Sequence, residues 1–256
     1  MRTLFHNGYY LAPDMTVKSG EIVVNDTVIE YMGDKTNIVC DKTIDIHGGF
    51  LMPGFCDAHT HSPMTFLRSC ADDMPLNKWL NEQIFPREAK LCGEDIYYLT
   101  KLAVMEYVSG GITSCFDMYF YPDDFVRAML ECGFRSVLCG AVNDLSESVE
   151  KLEDYYLRFN KIDPLISYKL GFHAEYTTSE EILKGIAALA DKYKAPVYAH
   201  IAETSSEVQG CIERHGMTPA EYFDSLGLYN YGGGGFHCVY MSKMTLRSIS
   251  AENSVL

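Results

Sequence analysis

The chain has 256 residues, of which 47% are hydrophobic and 22% are charged, values typical of a globular protein with one large domain or two smaller ones. Its net charge is −14 and its lysines and arginines form no cluster, which argues against a nucleic-acid-binding protein. No apolar stretch approaches the roughly 20 residues of a membrane span.

The first 49 residues have the pattern of a small β-subdomain. EIVVNDTVIEYMGD alternates on both sides of Asn25-Asp26, which predicts a β-hairpin, and TLFHNGYYL and KTIDIHGG predict further short strands. No helical period occurs here. The opening MRTLFHNGYYL lacks the basic start and long apolar core of a secretory signal, so we expect none.

From Phe50 the pattern changes to alternating strands and helices. GEDIYYLTKLAVMEYVSGG predicts a helix that ends at a glycine pair, and TTSEEILKGIAALADKYKAP predicts one that begins with a Thr178–Glu181 capping box. Further helices are predicted near residues 122–132, 146–160 and 206–226. The predicted strands are residues 50–57, 112–117, 135–141, 166–172, 197–201 and 235–239.

This alternation predicts a parallel sheet, which a doubly wound fold and a barrel both satisfy. A doubly wound nucleotide-binding sheet would carry a glycine-rich phosphate loop after the first strand, and PGFCDAHTHSP is not one. The glycines at 232–235 precede a strand instead of a helix. We therefore predict an α/β protein in which residues 1–49 form the β-subdomain and residues 50–256 form an incomplete (β/α)₈ TIM-type barrel with about six βα units.

Five of the eight histidines lie at predicted strand ends. Within PGFCDAHTHSP, His59 and His61 are two residues apart, so on a strand both side chains point the same way. The carboxyl ends of barrel strands form one rim, where His173, His200 and His237 would join them. A lone H-x-H is more often an ordinary loop pair, but five converging histidines favour a metal site.

Such a rim has the residues for metal-assisted hydrolysis. His59, His61 and His200 would supply three neutral nitrogen ligands and leave a position for an acidified water. Glu203 could move protons between that water and a substrate, and His237 could hydrogen-bond the developing oxyanion. Two structural alternatives stay open: Glu203 as the N-terminal charge of a following helix, and His237 as a satisfied structural histidine.

The segments PGFCDAHTH, HIAET and GFHC together resemble the amidohydrolase superfamily, in particular its 5-methylthioadenosine/S-adenosylhomocysteine deaminase group, which is related to the triazine hydrolases. The resemblance runs to about Tyr240. It implies a hydrolase of carbon–nitrogen bonds other than peptide bonds, with one divalent metal ion, zinc or else iron. It also implies substrate-binding roles for Glu88 at ribose hydroxyls, for His173 at the purine and for Trp79 in the pocket wall.

The implied reaction is the deamination of an adenine nucleoside, in which metal hydroxide attacks C6 and Glu203 protonates the ring and the leaving group. The resemblance also implies a metal-binding aspartate after strand eight and C-terminal strands that complete the β-subdomain into a sandwich. This chain has no candidate for that aspartate, and its last predicted strand is followed only by a segment that ends in SKMTLRSISAENSVL. Within this segment, MTLRSISAENSVL lacks the regular apolar spacing of a helix. We therefore expect a C-terminally truncated barrel with exposed strand edges and impaired activity.

Other functions stay open at this point. The same site would suit a triazine, guanine or cytosine hydrolase, the chain could be a catalytically inactive remnant, and a doubly wound binding protein without metal is a further alternative. We expect a small-molecule nucleoside as partner, no nucleic acid, no membrane, and homo-oligomerisation as an option. The nine cysteines are odd in number and form no C-x-x-C pair, which favours free buried thiols in the cytoplasm.

Overall fold

The structure is a computed structural model that describes residues 1–241. The chain forms two compact units, of which the first is Met1–Gly54 and the second begins at Phe55. The change of sequence pattern at Phe50 predicts this boundary between residues 49 and 50. The boundary lies later because the predicted strand 50–57 is wrong as a single strand: Phe50–Leu51 pairs within the first unit, and a new strand begins at Phe55.

The first unit is a five-stranded sheet. Its strands are β1 (Arg2–Leu11), β2 (Val17–Asn25), β3 (Val28–Gly33), β4 (Lys42–Asp45) and β5 (Phe50–Leu51). The predicted hairpin is β2–β3, and β1 pairs antiparallel with β2 and parallel with β4 and β5. Asp26 has φ +51° in the hairpin turn, a conformation that aspartate tolerates. The predicted N-terminal sheet is confirmed.

The second unit contains a six-stranded parallel sheet. Its strands are β6 (Phe55–Thr60), β7 (Ile112–Met118), β8 (Arg135–Cys139), β9 (Ile166–Gly171), β10 (Val197–Ile201) and β11 (Gly233–His237). Each strand pairs in parallel with the next strand along the chain, from β6 to β11. A doubly wound sheet reverses its strand order at a switch point, whereas this unbroken order is that of a (β/α)₈ barrel. The predicted fold class is confirmed.

Eight α-helices accompany the sheet in the described residues. They are α1 (Leu76–Trp79), α2 (Phe85–Glu88), α3 (Gly93–Ser109), α4 (Pro122–Cys132), α5 (Val149–Phe159), α6 (Glu180–Tyr193), α7 (Ser205–His215) and α8 (Pro219–Ser225). A π-helical turn, Leu80–Ile84, joins α1 to α2, and Ser62–Leu67 and Glu175–Thr177 are 3₁₀ helices.

Two helix predictions are wrong in detail. Residues 206–226 form two helices, because Gly216 ends α7 with φ +70° and Pro219 opens α8. The Thr178–Glu181 capping box is absent, since the N-cap of α6 is Ser179 and the Thr178 hydroxyl donates to the Val142 carbonyl at 3.4 Å.

Side chains of the sheet alternate between two apolar layers, as strand geometry requires. On β7, Cys115 belongs to the large layer that also includes helix residues such as Phe125 and Phe159. Met118 belongs to a smaller cluster with Phe236 of β11. Strands β6 and β11 both direct side chains into this smaller layer. His59 of β6 stacks there on Phe236 of β11, with ring centroids 4.0 Å apart. The first and last strands of the sheet are therefore in contact through these side chains.

Some predictions concern cysteines, membranes or the end of the chain. All nine cysteines are free thiols, but only Cys115, Cys139 and Cys211 are buried, so the expected burial holds for these three. Within residues 1–241, no helix combines the length and the apolar character that crossing a bilayer requires. The prediction that MTLRSISAENSVL lacks helical spacing lies outside the described residues.

Candidate metal centre

Five histidines meet at the carboxyl ends of the parallel strands. His59 and His61 come from the end of β6, His173 follows β9, and His200 and His237 lie on β10 and β11. The ring centroid of His59 is 4.8 Å from that of His61, 5.0 Å from His200 and 4.9 Å from His237. His173 lies 5.0 Å from His200. The structure thus places all five predicted rim histidines in one group.

Two of these rings have a defined tautomer. The Nδ1 atom of His61 lies 2.6 Å from the Met118 carbonyl oxygen, and that of His200 lies 2.8 Å from the His173 carbonyl oxygen. A carbonyl can only accept, so Nδ1 carries the hydrogen in both rings and each Nε2 presents a lone pair. These two Nε2 atoms are 3.3 Å apart. Two acceptors at that distance repel unless a cation or a proton lies between or beside them.

The ring nitrogens of His59 also point to a metal ion as their partner. Both of its ring nitrogens are buried without a hydrogen-bond partner in the described residues, whereas buried polar atoms nearly always have one. Burial lowers the pKa of His59 to about 3, and burial also lowers the pKa values of His61 and His200. Neutral rings with free lone pairs are the form in which histidine binds a metal ion.

The donor atoms allow more than one ligand set. His59, His200 and His237 each offer a ring nitrogen within 4.8 Å of the others. The predicted set was His59, His61 and His200, with His237 reserved for the substrate side. His61 lies beside the group through its contact with His200, so the geometry accommodates a divalent cation with three of these four histidines.

Glu203 lies in the loop after β10 and faces His237, with its Oε1 atom 3.7 Å from His237 Nε2. Burial raises the pKa of the Glu203 carboxyl. Helix α7 begins only at Ser205, with Thr204 as N-cap, so Glu203 precedes the helix. The acidic side chain in the first turn of α7 is Glu207 instead. The contact with His237 favours the predicted chemical position of Glu203 over the helix-charge alternative.

Glu207 is a residue that the sequence analysis missed. Its carboxylate accepts hydrogen bonds from the backbone N–H groups of Ala202 at 2.8 Å and Glu203 at 2.9 Å. Ala202 has φ +51°, a conformation that costs a non-glycine residue roughly 1–2 kcal/mol. Glu207 therefore holds a strained loop in place behind Glu203. The T-x-x-E spacing from Thr204 to Glu207 was the available signal, since it marks a helix start.

The three predicted substrate residues have different surroundings. Glu88, at the end of α2, accepts a hydrogen bond from the Tyr119 hydroxyl at 2.6 Å, and burial raises its pKa. His173 Nδ1 lies 2.8 Å from the Thr177 hydroxyl, and burial lowers the His173 pKa to about 4.

The ring of Tyr119 lies 6.5 Å from that of His61, which brings Glu88 close to the histidine group. Trp79 ends α1 and is half-buried. Tyr119 was not predicted, although its place directly after strand β7 was a signal.

Comparison with known proteins places this site in context. The Amidohydrolase family profile matches residues 50–255. A 5-methylthioadenosine/S-adenosylhomocysteine deaminase of Pyrococcus furiosus is 35% identical over 99% of this chain and 62% of its own length. A 5'-deoxyadenosine deaminase of Methanothermobacter thermautotrophicus is 37% identical over 93% of this chain and 58% of its own length.

A solved structure shows the same architecture. The crystal structure of an adenosine deaminase from Xanthomonas campestris with bound zinc has a TM-score of 0.90 at 27% identity, and the match covers 98% of this chain and 60% of that one. This chain therefore spans about three-fifths of the length of the proteins it matches. The match over residues 50–255 confirms the resemblance found in the sequence: the chain belongs to the amidohydrolase family.

Proposed function

We propose that this protein deaminates an adenine nucleoside with the help of a divalent metal ion held by the rim histidines. The observation that carries the proposal is the pair of Nε2 acceptors of His61 and His200, 3.3 Å apart, beside the unpartnered ring nitrogens of His59. The named activities of the relatives support the reaction, since two are deaminases of adenine nucleosides.

We propose His59, His61 and His200 as the ligands and zinc as the ion, with iron as the alternative. The bound zinc of the Xanthomonas campestris adenosine deaminase supports this choice, and three imidazoles suit zinc. When bound, the ion supplies a Lewis acid that makes a coordinated water acidic near neutral pH.

The chain's own residues would handle the protons. Glu203 lies within reach of His237 at 3.7 Å, so a carboxyl and an imidazole face the same space beside the histidine group. In this proposal Glu203 takes one proton from the attacking water and delivers it to the purine ring nitrogen as the hydroxyl adds to C6. Glu203 then passes the second proton, from that hydroxyl, to the amine, so that the carbon–nitrogen bond breaks, the amine leaves as ammonia and C6 becomes a carbonyl. His237 donates a hydrogen bond to the oxygen that develops charge at C6.

The sugar and base ends of the substrate would meet different residues. Glu88 uses one carboxylate oxygen to accept from Tyr119, which leaves the other for ribose hydroxyls. His173 is proposed to contact the purine because its ring lies 5.0 Å from His200. Trp79 is proposed to line the pocket.

The test is an assay of the purified protein with zinc supplied, using 5-methylthioadenosine, S-adenosylhomocysteine, adenosine and 5'-deoxyadenosine as substrates. We expect ammonia release and the ultraviolet change from adenine to hypoxanthine. Glu203→Gln should keep the metal and lower kcat by about 10²–10⁴-fold, and His59→Asn should lose the metal. Glu213→Gln, an exposed change on α7, is the matched control and should behave as wild type. Zinc-loaded protein that turns over none of these nucleosides, or that prefers guanine, cytosine or a triazine, contradicts the proposal.

We propose a cytoplasmic protein with a small-molecule partner, in which the N-terminal unit, Met1–Gly54, is part of a composite β-sandwich and the described residues from Phe55 onward are part of the barrel. Within the described residues the outer edges of β6 and β11 have no second strand partner. Since unpaired edges favour association, we propose a homo-oligomer, which gel filtration tests.

A further inference from the structure

The backbone turn at His61 is held by contacts on more than one side. Strand β6 ends at Thr60 and a 3₁₀ helix begins at Ser62, so His61 occupies the junction between them. Its ring is fixed through Nδ1 by the Met118 carbonyl. The side chains of its two neighbours, Thr60 and Ser62, form hydrogen bonds to other residues.

The side-chain hydroxyls of Thr60 and Ser62 share one hydrogen-bond partner. The Tyr107 hydroxyl, from α3, lies 2.8 Å from the Thr60 hydroxyl and 2.8 Å from the Ser62 hydroxyl. The Ser62 hydroxyl in turn donates a short hydrogen bond to Asp117 Oδ2, and the Ser62 backbone N–H donates to the same oxygen at 2.8 Å. Tyr107 therefore links the two neighbours of His61 to each other and, through Ser62, to strand β7.

The direction of this chain of hydroxyls follows from its end. Asp117 Oδ2 accepts from the Ser62 backbone N–H and from the Ser62 hydroxyl, so Ser62 uses its single hydroxyl hydrogen on Asp117. Burial raises the pKa of the Asp117 carboxyl to about 7, and this direction belongs to its ionised form. In that form Ser62 accepts from Tyr107, and Tyr107 accepts from Thr60. Tyr107 is 9% exposed, Ser62 3% and Asp117 1%. Because water is excluded, nothing replaces the Tyr107 hydroxyl if it is removed.

We infer that Tyr107 is a positioning residue for the metal centre: its hydroxyl ties Thr60 to Ser62 and so fixes the strand end that presents His59 and His61 to a divalent cation. The inference rests on the metal-binding part of the proposed function. It extends to residues that touch neither metal nor substrate, whose effect passes through the orientation of the ligands.

The experiment compares zinc affinity in wild type, Tyr107→Phe and Tyr229→Phe. Tyr229 is the matched control, because its hydroxyl is also buried but has no partner in the described residues. Zinc affinity is measured by competition with a chromophoric chelator, cobalt(II) absorption reports ligand geometry, and the Tm of the metal-free protein reports stability. We expect Tyr107→Phe to bind zinc about 10-fold more weakly, at the lower end of the effect seen for outer partners of metal ligands, with altered cobalt(II) bands. Tyr229→Phe should match wild type.

A second variant, Thr60→Val, keeps the test valid if Tyr107→Phe does not fold. It removes the first donor of the same chain, so it should also weaken zinc binding, and the double variant should bind no more weakly than Tyr107→Phe alone. If Tyr107→Phe is less stable but binds zinc as tightly as wild type, the residue is only structural and the inference is overturned. Wild type that binds no zinc overturns both this inference and the metal centre. Zinc binding that depends on Tyr107 without nucleoside turnover supports the inference while the proposed reaction fails.

Discussion

Replacing Glu207 by glutamine should destabilise the second unit through a loop that carries Glu203. The Glu207 carboxylate accepts backbone hydrogen bonds from Ala202 and Glu203 at 2.8 and 2.9 Å, and it is 5% exposed. Glutamine keeps one accepting oxygen, but its amide nitrogen can only donate. One of the two backbone N–H groups would therefore face another donor in a buried position.

The expected cost follows from these contacts. A hydrogen bond to a charged group contributes about 1.5–3 kcal/mol, and a buried donor left without a partner costs about 1–3 kcal/mol. Burying a charge is itself unfavourable, which is why burial raises the Glu207 pKa, and glutamine avoids that cost. The strained backbone of Ala202, at φ +51°, also depends on these bonds. The net loss in the free energy of unfolding is about 2 kcal/mol.

Urea unfolding followed by helical circular dichroism measures this loss, because all the helices of the described residues lie in the second unit. With a denaturant slope of about 2 kcal/mol/M, the midpoint should fall by about 1 M. Glu213→Gln, exposed on the same helix, should leave the midpoint unchanged. Equal midpoints for the two variants would refute the argument that the carboxylate holds this loop.

Two further changes test other contacts. Tyr119→Phe removes the donor to Glu88, so KM for adenosine should rise about 10-fold with little change in kcat, as expected for one charge-assisted bond; an equal rise for 2',3'-dideoxyadenosine, measured in parallel by steady-state kinetics, would contradict this role. Burial raises the pKa of Glu147 from 4.5 to about 7, so the folded state binds the proton more tightly and wild type loses stability as pH rises from about 4.5 to 7. Glu147→Gln removes that loss, so in urea unfolding its free energy of unfolding should exceed that of wild type by about 1–3 kcal/mol at pH 8 but not at pH 4.5. The same difference at both pH values would contradict this role of the Glu147 carboxyl.

The rim histidines were predictable because two simple rules place them. Side chains two residues apart on a strand share a face, which pairs His59 with His61, and parallel barrel strands end at one rim, which adds His200 and His237. Both rules use local sequence and strand order only. The order of the six strands and their helices was predictable on the same basis.

The residues behind the rim were not predictable in this way. Tyr107 lies in the apolar pattern of GEDIYYLTKLAVMEYVSGG and reads there as a core residue, since its partners are 45 and 47 positions away. The Thr178 prediction failed because a tertiary bond to Val142 competes with the cap. By contrast, the break after Phe50–Leu51 had a local signal in Pro53-Gly54, because proline interrupts a ladder of strand hydrogen bonds.

The unbroken strand order has a consequence for how the protein folds. Because each strand from β6 to β11 pairs with its chain neighbour, the sheet can grow unit by unit during synthesis, since each new strand adds to the strand made just before it. The approach of His61 to His200 is different, since it joins residues 139 positions apart. It forms only after β10 has docked. A metal ion bound there would thus stabilise the last stage of folding and slow unfolding from the β10–β11 end, leaving the early growth of the sheet unaffected.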